Sequence, residues 1–282
     1  IRDTNWYPFF DLRGILKKRR CAMYDYNTIN VDMNEDIAIV RFSRPKALNA
    51  LNHEMTLELA ELFDKLENDP TVRGIILTGE GRAFMAGADI SEMKERDAEG
   101  GREFARVSNY AFSKVADIPK PTIAAVNGFA LGGGLELSLC CDWRIAAESA
   151  SFAAPEVTLG IIPSGGGTQR LPRLIGSGRA KELIFTGKRI KAAEAERIGL
   201  VNKVVPDEAL MDEAVKSMRE ALANSAVALR YAKEAIDTGI GLSLADGIKV
   251  EINSVGMVFG SEDRLEGVSA FLEKRKAVFR DK

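Results

Sequence analysis

The sequence is poor in the residues that build metal sites and disulfide frameworks. It has one histidine, His53, and three cysteines, Cys21, Cys140 and Cys141, in 282 residues. An odd number of cysteines, two of them adjacent, is typical of a reducing compartment rather than of a disulfide framework. With one histidine and no Cys-x-x-Cys pair we expect no metal site, and a Ser-His-Asp catalyst would depend on His53 alone.

Excess charge of one sign and long apolar runs are also missing. The 39 Lys and Arg nearly balance the 41 Asp and Glu, so no global basic field attracts phosphate backbones or anionic membranes. No run of 18 apolar residues occurs, and we therefore expect no membrane span. The 46% hydrophobic and 28% charged residues indicate an ordinary globular protein without a nucleic-acid or membrane partner.

Residues 1–22 differ from the rest, with six basic and two acidic residues. They lack serine and an apolar core, so a targeting signal is less well supported than a flexible basic extension preceding a natural start at Met23. We predict three regions: this extension, a core over residues 23–205, and a helical region over residues 206–282. The expected compartment is the cytoplasm, or the mitochondrial matrix if residues 1–22 are a targeting segment.

Apolar patterning predicts an α/β protein with mainly parallel strands. A helix is expected after Asn52, a good N-cap, ending near residue 68, and His53 at its exposed start is interpreted as a surface residue. Beyond Pro206 the pattern becomes helical. The predicted strands cover residues 37–42, 74–78, 122–126 and 143–147, and the further helices cover residues 104–115, 135–141, 209–222, 226–236 and 242–258.

Two glycine clusters, residues 132–134 and 165–167, do not fit the common nucleotide-binding loops. Gly166 stands where a phosphate-binding P-loop requires lysine, and neither cluster forms Gly-x-Gly-x-x-Gly after a strand. Gly-x-Ser-x-Gly is also absent, so the nucleophile of an α/β-hydrolase is not predicted. The glycines need another explanation.

The first cluster joins a strand to a helix at the point where Glu136 follows Gly133 by three residues. Free N–H groups there can bind an anionic oxygen, and the carboxylate lies on the same helix face. Alternatively, the glycines only allow close packing and Glu136 complements the helix dipole. A second carboxylate, Glu156, follows Pro155 in a segment poor in charge, where an unpaired carboxylate is costly unless it is used. Two carboxylates beside an oxyanion site suit addition of water to an activated double bond.

Four segments resemble the crotonase family of enoyl-CoA hydratases and isomerases. They are residues 82–90 (RAFMAGADI), 127–136, 155–172 and 261–275, and the likeness runs from about Tyr24 to the end. The resemblance implies an α/β spiral core of repeated ββα units and a helical C-terminal trimerisation region. It also implies a homo-oligomer, either a trimer or a hexamer built as a dimer of trimers.

The same resemblance implies roles for individual residues. Glu136 and Glu156 match the catalytic glutamates, and the N–H groups of Ala86 and Gly133 would form the oxyanion hole for a thioester carbonyl. The substrate is an acyl-CoA, and no separate cofactor is expected because coenzyme A enters with it. The expected CoA contacts are Lys46, Ala47, Leu48, Gly87, Ala88, Asp89 and Ile90, with Phe259 and Lys274 from a neighbouring region.

The expected reaction is hydration of a trans-2-enoyl-CoA to a 3-hydroxyacyl-CoA, with short chains such as crotonyl-CoA as the leading substrates. Glu136 would deprotonate water for attack at C3, and Glu156 would deliver a proton to C2. An enoyl-CoA delta-isomerase and a branched-chain, methylglutaconyl-type hydratase remain alternatives. So does an RNA-binding homologue, although no basic helix supports it. The chain departs from many hydratases at Met85 and Ser91, where a smaller residue and a lysine are usual.

Overall fold

The computed structural model describes residues 24–282, so the predicted extension over residues 1–22 lies outside the described residues. The strands are β1 Ile29–Asn34, β2 Ile37–Phe42, β3 Gly74–Gly79, β4 Ala83–Met85, β5 Thr122–Val126, β6 Phe129–Leu131, β7 Trp143–Ala147, β8 Ser151–Ala153, β9 Ile190–Lys191 and β10 Lys203–Val205. The helices are α1 His53–Asn68, α2 Ala98–Asp117, α3 Gly133–Ser138, α4 Gly167–Ile175, α5 Ser177–Thr186, α6 Ala192–Arg197, α7 Leu210–Leu222, α8 Ala226–Gly239, α9 Leu244–Phe259 and α10 Glu262–Leu272.

The strands form two sheets. The larger has the order β1-β2-β3-β5-β7-β10, in which β1 is antiparallel to β2 and every other pairing is parallel. Its central strands are continuous apolar runs because both faces are covered, as is usual for parallel sheets. The smaller sheet has the order β4-β6-β8-β9, with β9 antiparallel to β8. The prediction of mainly parallel pairing is confirmed.

The chain repeats a strand–strand–helix unit, in which a long strand joins the larger sheet and the next strand joins the smaller one. The elements β3, β4 and α2 form one such unit, and β5, β6 and α3 form another. A main core fills the space between the sheets, where the rings of Phe42 and Phe84 meet edge to face at 5.4 Å. The expected ββα spiral is therefore confirmed.

The four strands predicted from the sequence match β2, β3, β5 and β7, with one residue added to β3. Asn52 caps α1 as expected, because its side chain accepts a hydrogen bond from the N–H of Met55 at 3.0 Å. Helix α2 begins six residues earlier than predicted because Asp97 caps it, accepting from the N–H of Gly100 at 2.8 Å. Helix α3 ends at Ser138 rather than residue 141.

After Val205 the described chain contains only helices as regular structure, as predicted. Helix α7, however, packs on the outer face of the larger sheet, where Met218 and Leu222 cover Gly74 and join a second apolar cluster. The boundary predicted at residue 205 therefore marks a change of secondary structure, and α7 belongs with the core. Within residues 24–282, no helix combines the length and apolar character needed to cross a membrane.

Candidate functional site

A cavity of about 140 Å³ lies where the glycine-rich turns of the smaller sheet face helix α2. Gly132, Gly133 and Glu136 line one side of it, and Glu156 closes a second side. The segment that follows Glu156 contributes apolar walls, Leu159, Ile161 and Ile162, before it returns to α4. The two glutamates that the sequence singled out therefore share one cavity.

The side chain of Glu136 is held by backbone N–H groups of the second glycine cluster. It is 4% exposed, and its Oε1 accepts hydrogen bonds from the N–H groups of Gly165 at 2.8 Å and Gly167 at 2.7 Å. Burial raises the pKa of Glu136 above its ordinary value of 4.5, and these two N–H groups offset part of the rise. The glycines at residues 165–167 thus position a carboxylate of this chain, a use that differs from phosphate binding.

The carboxyl of Glu156 is not held by hydrogen bonds of this kind within residues 24–282. Both carboxyl oxygens are shielded from solvent and accept no hydrogen bond among the residues that the structure describes. Burial raises the pKa of Glu156 to about 7, and the nearby Glu136 carboxylate adds to the rise. The residue's own backbone N–H lies near enough to offset part of it, although it does not form a hydrogen bond with the carboxyl. An ionisable group whose pKa lies near neutrality can gain or lose a proton at low cost, which suits a general acid or base.

Ala88 and Gly133 line the cavity, and their backbone N–H groups donate no hydrogen bond within residues 24–282. The N of Ala88 lies 3.8 Å from the position that a Cβ atom on Gly133 would occupy, so the two donors are neighbours. Gly133 is the first residue of α3, where N–H groups have no partner within the helix. Together these groups can hold one anionic oxygen.

The predicted donor Ala86 requires a correction. Its N–H donates to the carbonyl oxygen of Leu48 at 3.1 Å and is not available to a ligand. Two residues later Ala88 pairs with Leu51 in an isolated parallel bridge, in which Leu51 bonds to the flanking residues, Gly87 and Asp89. In a parallel bridge of this kind the N–H of the central residue, here Ala88, points away from the partner strand. The free donor of this segment therefore belongs to Ala88.

Glycine is required at two positions beside these donors. Gly132 has φ of 49° and ψ of −121°, a conformation that residues with a side chain rarely adopt, and a Cβ atom there would lie 3.1 Å from Oε1 of Glu156. A Cβ atom on Gly134 would lie 2.0 Å from the carbonyl oxygen of Met85, which is overlap. The cluster thus brings two backbone segments into contact and keeps a side chain at residue 132 from crowding the carboxyl of Glu156.

The predicted CoA contacts fall into three groups. Gly87, Ala88 and Ile90 line the cavity, and Asp89 lies behind them in an ion pair with Arg44 at 3.1 Å. Lys46 and Ala47 are exposed and Leu48 is half-buried, in and just after a short 3-10 turn close to that strip. Phe259 and Lys274 lie at the end of α9 and after α10, away from the cavity lining. The contacts of all nine residues with CoA stay predictions.

Helix α2 supplies a wall that the sequence analysis missed. Phe104, Ser108 and Phe112 recur every four residues, so they form one stripe along the helix, and all three line the cavity. The spacing was visible in the sequence, but it is the same as that of an ordinary buried helix face. Met85, by contrast, is fully buried in β4 and does not line the cavity, so it does not limit the cavity directly.

The remaining chemistry-bearing residues lie elsewhere. His53 is exposed, as predicted, and Cys140 and Cys141 are buried just after α3. Burial raises the pKa of both thiols, that of Cys140 to about 12, so they stay protonated and pack as small apolar groups. Within residues 24–282 no three His, Cys, Asp or Glu side chains are grouped closely enough to hold a metal ion.

Comparisons with known proteins show to which family the chain belongs. The sequence profile described as enoyl-CoA hydratase/isomerase matches residues 32–282. The chain is 46% identical to a crotonyl-CoA hydratase of Syntrophomonas wolfei, over 90% of this chain and 98% of that protein. It is 47% identical to a short-chain-enoyl-CoA hydratase of Clostridium acetobutylicum, over 89% and 97%. An enoyl-CoA hydratase structure from Bacillus anthracis superposes with a TM-score of 0.87 at 44% identity, covering 91% of this chain and all of that one. The motifs, the ββα spiral and these relatives together show that the chain belongs to the enoyl-CoA hydratase/isomerase family, the crotonases.

Proposed function

We propose that the protein hydrates short trans-2-enoyl-CoA thioesters to 3-hydroxyacyl-CoA. The observation that carries the proposal is the pairing of Glu136, held by two N–H groups, with Glu156, whose shielded carboxyl has no hydrogen-bond partner among the described residues. The names of the relatives, crotonyl-CoA hydratase and short-chain-enoyl-CoA hydratase, support short acyl chains.

The difference between the two carboxyl groups supports different catalytic roles for Glu136 and Glu156. Two neighbouring carboxylates share a proton more readily than they both ionise, and the proton goes to the group whose charged form is less stabilised. Glu136 accepts two N–H hydrogen bonds that stabilise its charge, whereas Glu156 accepts none from the described residues. Glu136 is therefore the ionised base and Glu156 the protonated acid at the start of the reaction.

In the proposed reaction, water lies between the two glutamates and beside C3 of the substrate. Glu136 takes a proton from this water while the oxygen forms a bond to C3, and the electrons of the double bond move onto the thioester oxygen. The N–H groups of Ala88 and Gly133 hold that oxygen, and each such donor typically contributes about 3 to 4 kcal/mol to catalysis. Glu156 then gives its proton to C2, the electrons return, and proton exchange between the glutamates or with solvent restores the starting state.

The proposal predicts a large effect from either glutamate. Crotonyl-CoA should lose its enoyl-thioester absorbance with the wild-type protein, and Glu136→Gln or Glu156→Gln should slow this by about 10² to 10⁴. Glu95→Gln serves as the control because the side chain of Glu95 is 90% exposed and is not part of the cavity lining. If crotonyl-CoA is inert while a 3-enoyl-CoA is converted to the 2-enoyl isomer, the protein is an isomerase and the hydratase proposal fails.

The oligomeric state is part of the proposal. Helices α8, α9 and α10 leave a broad apolar surface exposed, far more than isolated apolar residues on a monomer. Copies of this chain would cover it in a trimer or in a hexamer of two trimers, which would also bring Phe259 and Lys274 to the CoA of a neighbouring subunit. The exposed side chains are Ile236, Ile240, Leu244, Ile248, Ile252, Phe259, Leu265, Phe271 and Leu272.

A further inference from the structure

Ser108 is a polar residue in the wall that α2 presents to the cavity. It is 4% exposed and lines the cavity between Phe104 and Phe112, one turn away on either side. Its hydroxyl makes no hydrogen bond with any residue of the described chain, 24–282, and none with the helix carbonyls that often accept from serine. The hydroxyl therefore faces the cavity with its donor and its acceptor both unused.

The Ser108 hydroxyl is not among the polar side-chain atoms of residues 24–282 that are both shielded from solvent and without a partner, so water in the cavity can reach it. A ligand that displaces this water loses free energy unless it offers a replacement hydrogen bond. The neighbouring wall gives no compensation because Met93, Phe104 and Phe112 are apolar. Ser164, the other hydroxyl-bearing residue of the lining, is half-buried, and its carbonyl oxygen already accepts from the side chain of Asn109. A polar ligand atom is therefore the partner that would replace water at Ser108 when the cavity is filled.

The position of Ser108 indicates which part of a ligand it meets. The thioester end of an acyl-CoA is assigned to the N–H groups of Ala88 and Gly133, and the reacting carbons to Glu136 and Glu156. The α2 wall is left for the acyl chain beyond C3. A hydroxyl placed to bond a substrate oxygen discriminates against an analogue that lacks it, because the hydroxyl is then left unpaired.

We propose that Ser108 is a specificity-determining residue that hydrogen-bonds an oxygen substituent, a hydroxyl or a keto group, on the acyl chain beyond C3. The proposal rests on the proposed function for the placement of the thioester, and it deepens that function by naming a substrate class. The preferred substrates would be short 2-enoyl-CoA thioesters that carry a polar group near the end of the chain. Unsubstituted crotonyl-CoA would then be a substrate that leaves one hydroxyl of the site unpaired.

Binding of saturated analogues tests this without requiring hydration. Calorimetry would compare butanoyl-CoA with 4-hydroxybutanoyl-CoA, and pentanoyl-CoA with 5-hydroxypentanoyl-CoA, on the wild type and on Ser108→Ala. For at least one pair the wild-type preference for the hydroxylated chain should fall about three- to tenfold in Ser108→Ala, the range for one neutral hydrogen bond. Ser113→Ala, on the same helix but outside the cavity lining, is the matched control and should keep the wild-type ratio.

The other possible results distinguish failure of the role of Ser108 from failure of the proposed hydratase activity. An unchanged ratio in Ser108→Ala for both pairs, or an equal fall in Ser113→Ala, overturns the role of Ser108. Loss of the preference in Ser164→Ala alone assigns the contact to Ser164 and also overturns it. If the analogues bind with the predicted ratios but crotonyl-CoA and 4-hydroxycrotonyl-CoA are not hydrated, the proposed hydratase activity fails while the contact of Ser108 stands. Absence of binding by every analogue overturns both.

Discussion

Replacing Glu156 with glutamine should alter how stability depends on pH, in addition to removing activity. Burial raises the pKa of this carboxyl from an ordinary value of 4.5 to about 7 in the folded protein. The folded state therefore holds a proton that the unfolded state has already released, and ionisation of Glu156 opposes folding. The contribution of Glu156 to the free energy of unfolding should fall as the pH rises from about 4.5 to 7 and should stay constant above pH 7.

The magnitude follows from the two pKa values. They differ by about 2.5, and each pKa unit corresponds to about 1.36 kcal/mol, so full ionisation of Glu156 costs about 3 kcal/mol. Between pH 5.5 and 8.5 about 2 kcal/mol of this should be seen, because at pH 5.5 the carboxyl of the unfolded chain has already ionised. Glutamine does not ionise, so Glu156→Gln should gain about 2 kcal/mol relative to the wild type over that interval.

Urea unfolding at pH 5.5 and 8.5 provides the assay. Wild type, Glu156→Gln and the surface control Glu95→Gln would be compared at one protein concentration, because assembly makes apparent stability depend on concentration. Any constant cost of the glutamine amide cancels in the difference between the two pH values. A Glu156→Gln curve that shifts with pH in parallel with the wild type would refute the argument that this carboxyl is buried without hydrogen-bond partners.

Other predictions follow from the same geometry. The acid role of Glu156 predicts that kcat/KM for hydration falls about tenfold per pH unit above pH 7, as its pKa of about 7 requires, and a pH–rate profile that stays level to pH 9 would contradict it. Gly134→Ala should destabilise the fold by about 3 kcal/mol, because the new methyl group would lie 2.0 Å from a backbone carbonyl oxygen. Gly101→Ala on α2, where a methyl group would meet no atom within 4 Å, should stabilise the fold by about 1 kcal/mol, and thermal unfolding would measure both changes. A backbone ester in place of the Ala88 amide removes one free N–H and should lower kcat by about 10² to 10³, and an unchanged kcat would exclude this donor. Ile252→Glu places a charge on the apolar face of α9, where Ile252 is 63% exposed, and should dissociate the assembly in sedimentation velocity, so an unchanged sedimentation coefficient would show that this face is not the interface.

The larger sheet was predictable because its strands are long enough to carry a pattern. Strand β5, Thr122–Val126, is a continuous run of β-branched and apolar residues followed by asparagine and glycine. Both of its predicted ends match the structure. The strands of the smaller sheet were not predicted, because most of them have only three residues, too few to show an alternation of apolar and polar side chains. Helix α10 lies within the region predicted to be helical, but its bounds were not predicted, although Ser261 is a good N-cap and acidic residues follow it in the first turn.

The sequence by itself determined the class of the fold and the two glutamates. Apolar strand runs between helical segments specify an α/β protein, and carboxylates in segments poor in charge are recognisable without a structure because an unpaired buried charge is costly. The family motifs then narrowed the chemistry to acyl-CoA thioesters.

Only the tertiary structure decided which backbone N–H groups are free and what faces them. Ala86 and Ala88 are the same residue type two positions apart, so the sequence does not show which of their N–H groups is free. The hydrogen bond from Ala86 to Leu48 occupies one N–H group, and the bridge at Leu51 leaves that of Ala88 free. The unequal support of Glu136 and Glu156, and the unpaired hydroxyl of Ser108, likewise depend on segments far apart in the chain. Local pattern reports which residues are buried, but hydrogen bonds between distant segments determine which of their polar groups remain for a substrate.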